Sequence, residues 1–491
     1  MNVNLNKSAD VLVKVVIAFT LLIGAVMVVI PVRPFWVDEW FIIYNLKTKD
    51  AHALWGPLAL MQQFPRAYIQ LVKLVTSAFN YSYQALRLPS LVTGSLVILL
   101  GYKTMNRLYD KSRVERYIFL LVLIASATFT EYFVQVKQYT MDMLMSVVAI
   151  WQLYELLQLR QRWGVYVVLC LSCFICPFFS YTYLIVALPV FGTVMLRQLL
   201  MDKVALPLRE KARQWLPMVF ALAGGVVFYF IDGKQLMADS PMHGFWSFLM
   251  VDTAHPLRSL MVNGYAVFAQ VGAGDLFGNL FGVLGVVAFV AACFQVVRRM
   301  KSIVATLEGS MVVYSCGVLF GAFVLFLAGK LPLGTPRLNA FTLPSIAILL
   351  IWLLQQMEGF KKWVKPKIVL TSILFLWLFG NVFVQYFSYF LRPEYKLQMA
   401  IYTATNKVLN DAKEQHLPVM ITRHVCYPYE VPANPDGAPE PGVWMVKAFP
   451  GYDIHNTIQL YPISDTSTAN LPNGVQKAFV GDGLVFRMVG M

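Results

Sequence analysis

Two adjacent carboxylates, Asp38 and Glu39, sit in the run Arg33-Pro34-Phe35-Trp36-Val37-Asp38-Glu39-Trp40, just after an apolar stretch that ends at Ile30. Burial among aromatics and crowding by a like charge both raise a carboxylate's pKa, and such a group can accept a proton near neutral pH. A plainer reading stands beside this one: Asp38 caps an interfacial helix that starts at Glu39, whose charge suits a helix N-terminus. A second constellation is Glu131-Tyr132-Phe133-Val134-Gln135-Val136-Lys137-Gln138-Tyr139-Thr140-Met141-Asp142, in which Lys137 is the only basic residue between Arg116 and Arg160. A lone Lys at a membrane boundary either snorkels to the interface or binds a lipid phosphate there. Asp142, one helical turn from Gln138, can hydrogen-bond locally or take part in chemistry. The third is Leu331-Pro332-Leu333-Gly334-Thr335-Pro336-Arg337. The planar fork of Arg337 suits a phosphate, and an interfacial anchor is the alternative.

Other chemistry is thinly represented. His52, His243, His255 and His424 form no pair with metal-ligand spacing. His255 and Arg258 together could meet an acceptor. Cys170, Cys173 and Cys176 recur every third residue without a His or a fourth Cys, which reads as apolar packing. No phosphate-binding loop, dinucleotide fingerprint or nucleophile elbow is found.

The elements that must position these residues are membrane helices. Hydrophobic residues make up 58% of the 491 and charged residues 13%, with a mean hydropathy of +0.61. Soluble domains carry roughly twice that charge. A bilayer core needs about 20 apolar residues per helix. Eleven stretches qualify or nearly so: Val11–Ile30, Pro89–Met105, Tyr117–Thr130, Met141–Leu159, Trp163–Phe179, Tyr181–Leu199, Trp215–Ile231, Leu280–Val297, Val312–Ala328, Leu338–Leu354 and Ile368–Phe390. The first is too long for a cleavable signal, and no small-residue cleavage site follows it.

The net charge of +14 is a topology signal. One set of loops carries +13, the opposite face of residues 1–391 carries +2, and residues 392–491 carry −1. Cytoplasmic loops concentrate Lys and Arg. The N-terminus is therefore expected inside and, after an odd number of crossings, the C-terminus outside. No nucleic-acid partner is implied. Residues 1–391 are expected to form a transmembrane domain with long outer loops at 31–88 and 232–279. Residues 392–491 are expected to form a small extracytoplasmic α/β domain. Its helix is expected at Glu394–His416 and its short strands at Val419–Thr422, Val443–Val446 and Leu484–Val489.

Several motifs resemble a known family in their order and spacing. After Asp38-Glu39 comes Gln62-Gln63-Phe64-Pro65-Arg66-Ala67-Tyr68, similar to the family's "hPPlyy" stretch. Ala85-Leu86-Arg87-Leu88-Pro89-Ser90 matches its "alRlPS" signature. Lys137-Gln138-Tyr139 with Asp142 resembles its "(K/R)xYxxD" segment, and Pro336-Arg337 its late "PRy" segment. The family is the GT-C glycosyltransferases of the protein-mannosyltransferase and lipid A aminoarabinose-transferase type. The resemblance is best over residues 31–150. Phe64 stands where the family usually has Pro, and Lys137 where many members have Arg.

The resemblance implies a GT-C fold and an inverting transfer of a sugar from a polyprenyl-phosphate carrier, at the outer face of a bacterial inner (plasma) membrane. The acceptor would be a lipid, a glycan or a protein. Asp38 would be the catalytic carboxylate and Glu39 its helper. Lys137 and Arg337 would hold the carrier phosphate, with Arg87 supporting from the second helix. Tyr139, Asp142, Arg66, His255 and Arg258 would be supporting residues. Some members use a divalent metal ion and others do not; if one is used here, Asp38 and Glu39 are its candidate ligands. A different class, a transporter of lipid-linked sugars or other anions, would place charges inside membrane helices and show repeat symmetry.

Overall fold

Long apolar runs bounded by polar caps fold as helices throughout the first four-fifths of the chain. The structure is a computed structural model. It describes residues 2–30, 35, 37–59, 62–109, 116–158, 162–201, 208–234, 249–271, 275–357 and 364–392, and the strands at 419–422, 443–446, 458–462, 475–480 and 484–489. Arg33, Trp36, His243, His424 and the expected helix Glu394–His416 lie outside the described residues. The chain divides into two compact units. One comprises Met1–Val28 and Phe64–Tyr386, the other Val29–Gln63 and Phe387–Met491.

The first unit is helical. It contains α1 (Asn2–Val29), most of which lies in this unit, then α3 (Arg66–Ser77), α4 (Tyr83–Leu108), α5 (Arg116–Ala125), α6 (Ala127–Tyr132) and α7 (Tyr139–Leu157). It continues with α8 (Trp163–Ile175), α9 (Tyr183–Met201), α10 (Leu208–Phe228), α11 (Pro256–Ala269), α12 (Asp275–Ala305), α13 (Leu307–Leu327), α14 (Leu343–Gln356) and most of α15 (Val364–Leu391). Among the described residues, eight helices are long and apolar enough to cross a membrane: Ser8–Val29, Tyr83–Leu108, Tyr183–Met201, Arg213–Gly233, Gly278–Ala305, Leu307–Leu327, Pro336–Gln356 and Ile368–Leu391. This is consistent with a polytopic, helical integral membrane protein.

The other three expected segments differ, each for a local reason. Tyr117–Thr130 is broken at Ser126, whose Oγ accepts the Phe129 N–H at 3.0 Å and starts a new helix. Trp163–Phe179 gives only α8 and a 3₁₀ turn, Cys176–Phe178, which Pro177 helps to end. α7 is long enough, but Asp142, Gln152 and Glu155 lower its hydropathy. It is buried along nearly its whole length, packing against α4, α9 and the 3₁₀ turn Pro336–Thr342. Its polar side chains are met from neighbouring elements: Gln152 donates to Ser172 Oγ at 2.9 Å and accepts from Tyr183 Oη at 2.9 Å. Buried polar groups need such partners.

The second unit contains α2 (Val37–Thr48), which a short 3₁₀ turn, Ala53–Trp55, follows. Asn45 holds this stretch together. Its amide donates to Phe41 O (2.7 Å) and Ala59 O (3.1 Å) and accepts from Ala59 N (2.7 Å). The unit also holds β1 (Val419–Thr422), β2 (Val443–Val446), β3 (Ile458–Pro462), β4 (Val475–Val480) and β5 (Leu484–Val489), in the sheet order β2-β1-β3-β5-β4. β1 and β3 run parallel, and the other neighbours antiparallel.

Candidate functional site

In the second unit, α2 carries Asp38 and Glu39 in its first turn. The helix starts at Val37, so Asp38 lies inside it and is not the cap of a helix starting at Glu39. The positive end of the helix dipole still favours both charges. Glu39 is fully buried and Asp38 partly exposed.

The other candidates lie in the first unit. Two of the stretches singled out in the sequence are hydrogen-bonded to one another there. Ser82 caps α4 through a bond from Ala85 N (3.3 Å), and the following turn presents Arg87 and Ser90. Arg87 is fully buried, lies over the Tyr83 ring at 4.4 Å, and donates from Nη1 to Val134 O at 3.1 Å. Ser90 Oγ donates to Gln135 O and to Lys137 O, the latter at 3.4 Å. Thr93 and Thr140 share a hydroxyl contact of 2.7 Å. The backbone that carries Lys137 is thus fixed to α4 by at least three side chains. Lys137 itself is buried, and Tyr139 packs edge-on against Tyr132 with ring centres 4.6 Å apart.

Tyr68, in the first turn of α3, reaches the same place. It is fully buried and stacks on Phe64 at 5.3 Å. Burial pushes its phenol up to about 12; Ser90, Thr93 and Thr140 beside it pull the other way, and the charge of Asp142 adds to the rise. Tyr68 therefore stays a neutral hydroxyl donor at physiological pH.

Asp142 Oδ1 accepts from Ser180 Oγ at 2.5 Å and from Thr182 Oγ1 at 3.2 Å. Between them, Tyr181 Oη donates to Phe64 O (2.9 Å) and Asp232 Oδ1 (3.0 Å). Asp232 is carried by a π-helical turn, Tyr229–Gly233, that continues α10. Such turns shift the phase of the helix. Here Tyr229 and Phe230 are exposed while Asp232 is fully buried. Arg66 Nε pairs with Asp232 Oδ1 at 3.5 Å, its backbone N–H lies 3.4 Å from Oδ2, and its Nη1 donates to Phe64 O at 3.1 Å. Removing one member of so buried a pair leaves the other uncompensated, at a cost of about 3–5 kcal/mol.

Arg337 sits on the 3₁₀ turn Pro336–Thr342, which packs against α7. Asn339 shapes this turn by donating to Pro332 O, Leu333 O and Thr335 O at 3.4, 2.8 and 3.1 Å. Gln270, just after α11, braces it through Asn339 O (3.3 Å) and Thr342 Oγ1 (2.9 Å). His255 and Arg258, at the start of α11, are exposed. They are not among the residues that the hydrogen bonds above join.

Asp232, Tyr181, Tyr68, Ser180 and Thr182 were not singled out as site residues in the sequence. The available signals were a carboxylate closing the apolar run Val226–Ile231 and a polar triplet between two apolar segments. No group of three or more His, Cys, Asp or Glu side chains that could hold a metal ion occurs among the described residues. Asp38 and Glu39 alone would supply a minority of the roughly six to eight ligands that Mg²⁺ or Ca²⁺ takes.

No protein-family model matches the chain, and no curated protein matches it. Among solved structures, the chain is similar to the crystal structure of the Archaeoglobus fulgidus oligosaccharyltransferase in complex with zinc and sulfate. The identity is 12% and the TM-score 0.46, over 76% of this chain and 53% of that one, so the chain spans about half of that protein's length.

Proposed function

We propose that the chain is an integral-membrane inverting glycosyltransferase that moves a sugar from a polyprenyl-phosphate carrier to an acceptor on the outer face of the membrane. The observation that carries this reading is a convergence. The stretches around Arg66, Arg87 and Lys137, which were singled out separately in the sequence, meet through Arg87, Ser90, Thr93, Thr140 and Tyr68. The turn bearing Arg337 packs on the same helix, α7.

In this mechanism Asp38 removes the proton from an acceptor hydroxyl as it attacks the anomeric carbon. Attack opposite the leaving phosphate inverts that centre. The phosphate gains negative charge as the glycosidic bond breaks, and Lys137 and Arg337 stabilise it as preorganised cations, more effectively than water would. Arg87, bonded to Val134 O, holds the backbone just ahead of Lys137 in place.

Replacing Asp38 with Asn keeps shape and removes the base. Transfer from a polyprenyl-phosphate sugar, measured in isolated membranes, should fall by about 10²-fold or more, while the protein accumulates normally. Transfer at the parental rate would sink the mechanism.

A further inference from the structure

The triplet Ser180-Tyr181-Thr182 joins two buried carboxylates. Ser180 and Thr182 donate to Asp142, and Tyr181 donates to Asp232. Alternate side chains thus reach different partners from a turn that the Tyr183 N–H closes on Ser180 O at 3.2 Å. On one side Asp142 lies in the first turn of α7, directly after Lys137 and the hydroxyl contact Thr93–Thr140. On the other, Asp232 holds Arg66, and with it the start of α3 that presents Tyr68 to the same hydroxyls.

We propose that Ser180-Tyr181-Thr182 is a strut, and that Tyr181, Asp232 and Arg66 are positioning residues that set the Lys137–Asp142 segment for the lipid donor's phosphate. None of the three need touch the donor. They act through α3 and through Asp142, so their loss changes donor use and leaves acceptor use alone. Asp232 lies on the buried side of the π-turn, while Phe230, two residues before it and so on the opposite face, is exposed. The donor-binding part of the inference rests on the proposed function; the strut itself does not.

Two readouts separate the strut from that reading. The first is native: Cys176 is buried, and its carbonyl accepts from Ser180 N at 3.2 Å, whereas Cys170 and Cys173 are buried higher in α8. In Tyr181→Phe and Asp232→Asn, N-ethylmaleimide should alkylate Cys176 roughly fivefold faster, read peptide by peptide, with Cys170 and Cys173 unchanged. Tyr181→Phe keeps the ring that packs near Phe228, with centres 5.9 Å apart, so the variant is expected to fold.

The second readout is kinetic. At saturating acceptor, kcat/KM for a polyprenyl-phosphate sugar should fall about tenfold in Tyr181→Phe while the acceptor KM holds. Parental alkylation of Cys176 in both variants overturns the strut. Faster alkylation with unchanged donor kinetics, or an equal loss for donor and acceptor, overturns the positioning role. If the parental chain transfers no sugar from any polyprenyl-phosphate donor, the glycosyltransferase reading falls, and the alkylation rates alone decide the strut.

Discussion

Adjacent residues of one type can meet different fates, and the carboxylates of α2 show it: Glu39 is sealed in while Asp38 keeps partial exposure. The cations proposed to face the phosphate differ as well. Lys137 is buried on a backbone held by Ser90, and Arg337 is half-buried on a turn that Asn339 pins. Hydrogen bonds to charged groups contribute about 1.5–3 kcal/mol. Lys137→Ala and Arg337→Ala should therefore each lower kcat/KM for the lipid donor by about 10- to 100-fold, with a smaller effect on acceptor choice. Donor kinetics identical to those of the parent would remove the phosphate assignment. Arg66, Arg87, Lys137 and Asp142 stand in short motifs that the sequence displays, Arg66 and Arg87 in those that resemble a family. Asp232 does not, because its partner Arg66 lies 166 positions away in the sequence. His255 and Arg258, whose types suggest contact with an acceptor, are exposed at the start of α11.

Elements here are placed by close contacts as much as by apolar length. The ring of Phe133, four residues before Lys137, lies between Gly24 of α1 and Gly94 of α4, where a Cβ at either glycine would clash with it. The sequence offers no sign of this, because both glycines look like ordinary small residues in apolar runs. Gly94→Ala should overpack the site and cost about 1–3 kcal/mol, lowering the unfolding temperature of the detergent-solubilised protein. Gly192, in α9, has nothing within 4 Å of a built Cβ. Gly192→Ala should leave that temperature unchanged or raise it, since Ala favours a helix by about 1 kcal/mol over Gly. Equal destabilisation by both would mean that Phe133 is not wedged. Ser126 carries a similar lesson: hydropathy runs straight through it, yet its side chain ends one helix and starts the next.

At the scale of the whole molecule, side-chain contacts fix the directions that charge only suggests. α4 and α7 meet at one end through Thr93 and Thr140, and at the other through Arg107 and Glu155, whose ion pair spans 3.3 Å. The two helices therefore run the same way. α9 runs with them, since Ser180 and Thr182, just before it, bond Asp142 near the start of α7. At the far end, Gln198 of α9 meets Gln214, which donates to Leu156 O of α7 at 3.2 Å. Between parallel neighbours the chain must return, and α5 with α6, and then α8, are the segments that return it. Added to the eight long apolar helices found among the described residues, these passes and α7 would give the odd number of crossings expected from the sequence, with the two termini on opposite sides. With that count, Lys103, Arg107, Arg197 and Arg213 would all fall on the face with the N-terminus, where the concentration of basic loops in the cytoplasm would put them. Fusions at the C-terminus should accordingly show alkaline phosphatase activity and no green fluorescence, and fusions after Lys111 the reverse. Fluorescence from the C-terminal fusion would make the number of crossings even, and would place the stretch after α15 on the side opposite the one that transfer at the outer face needs.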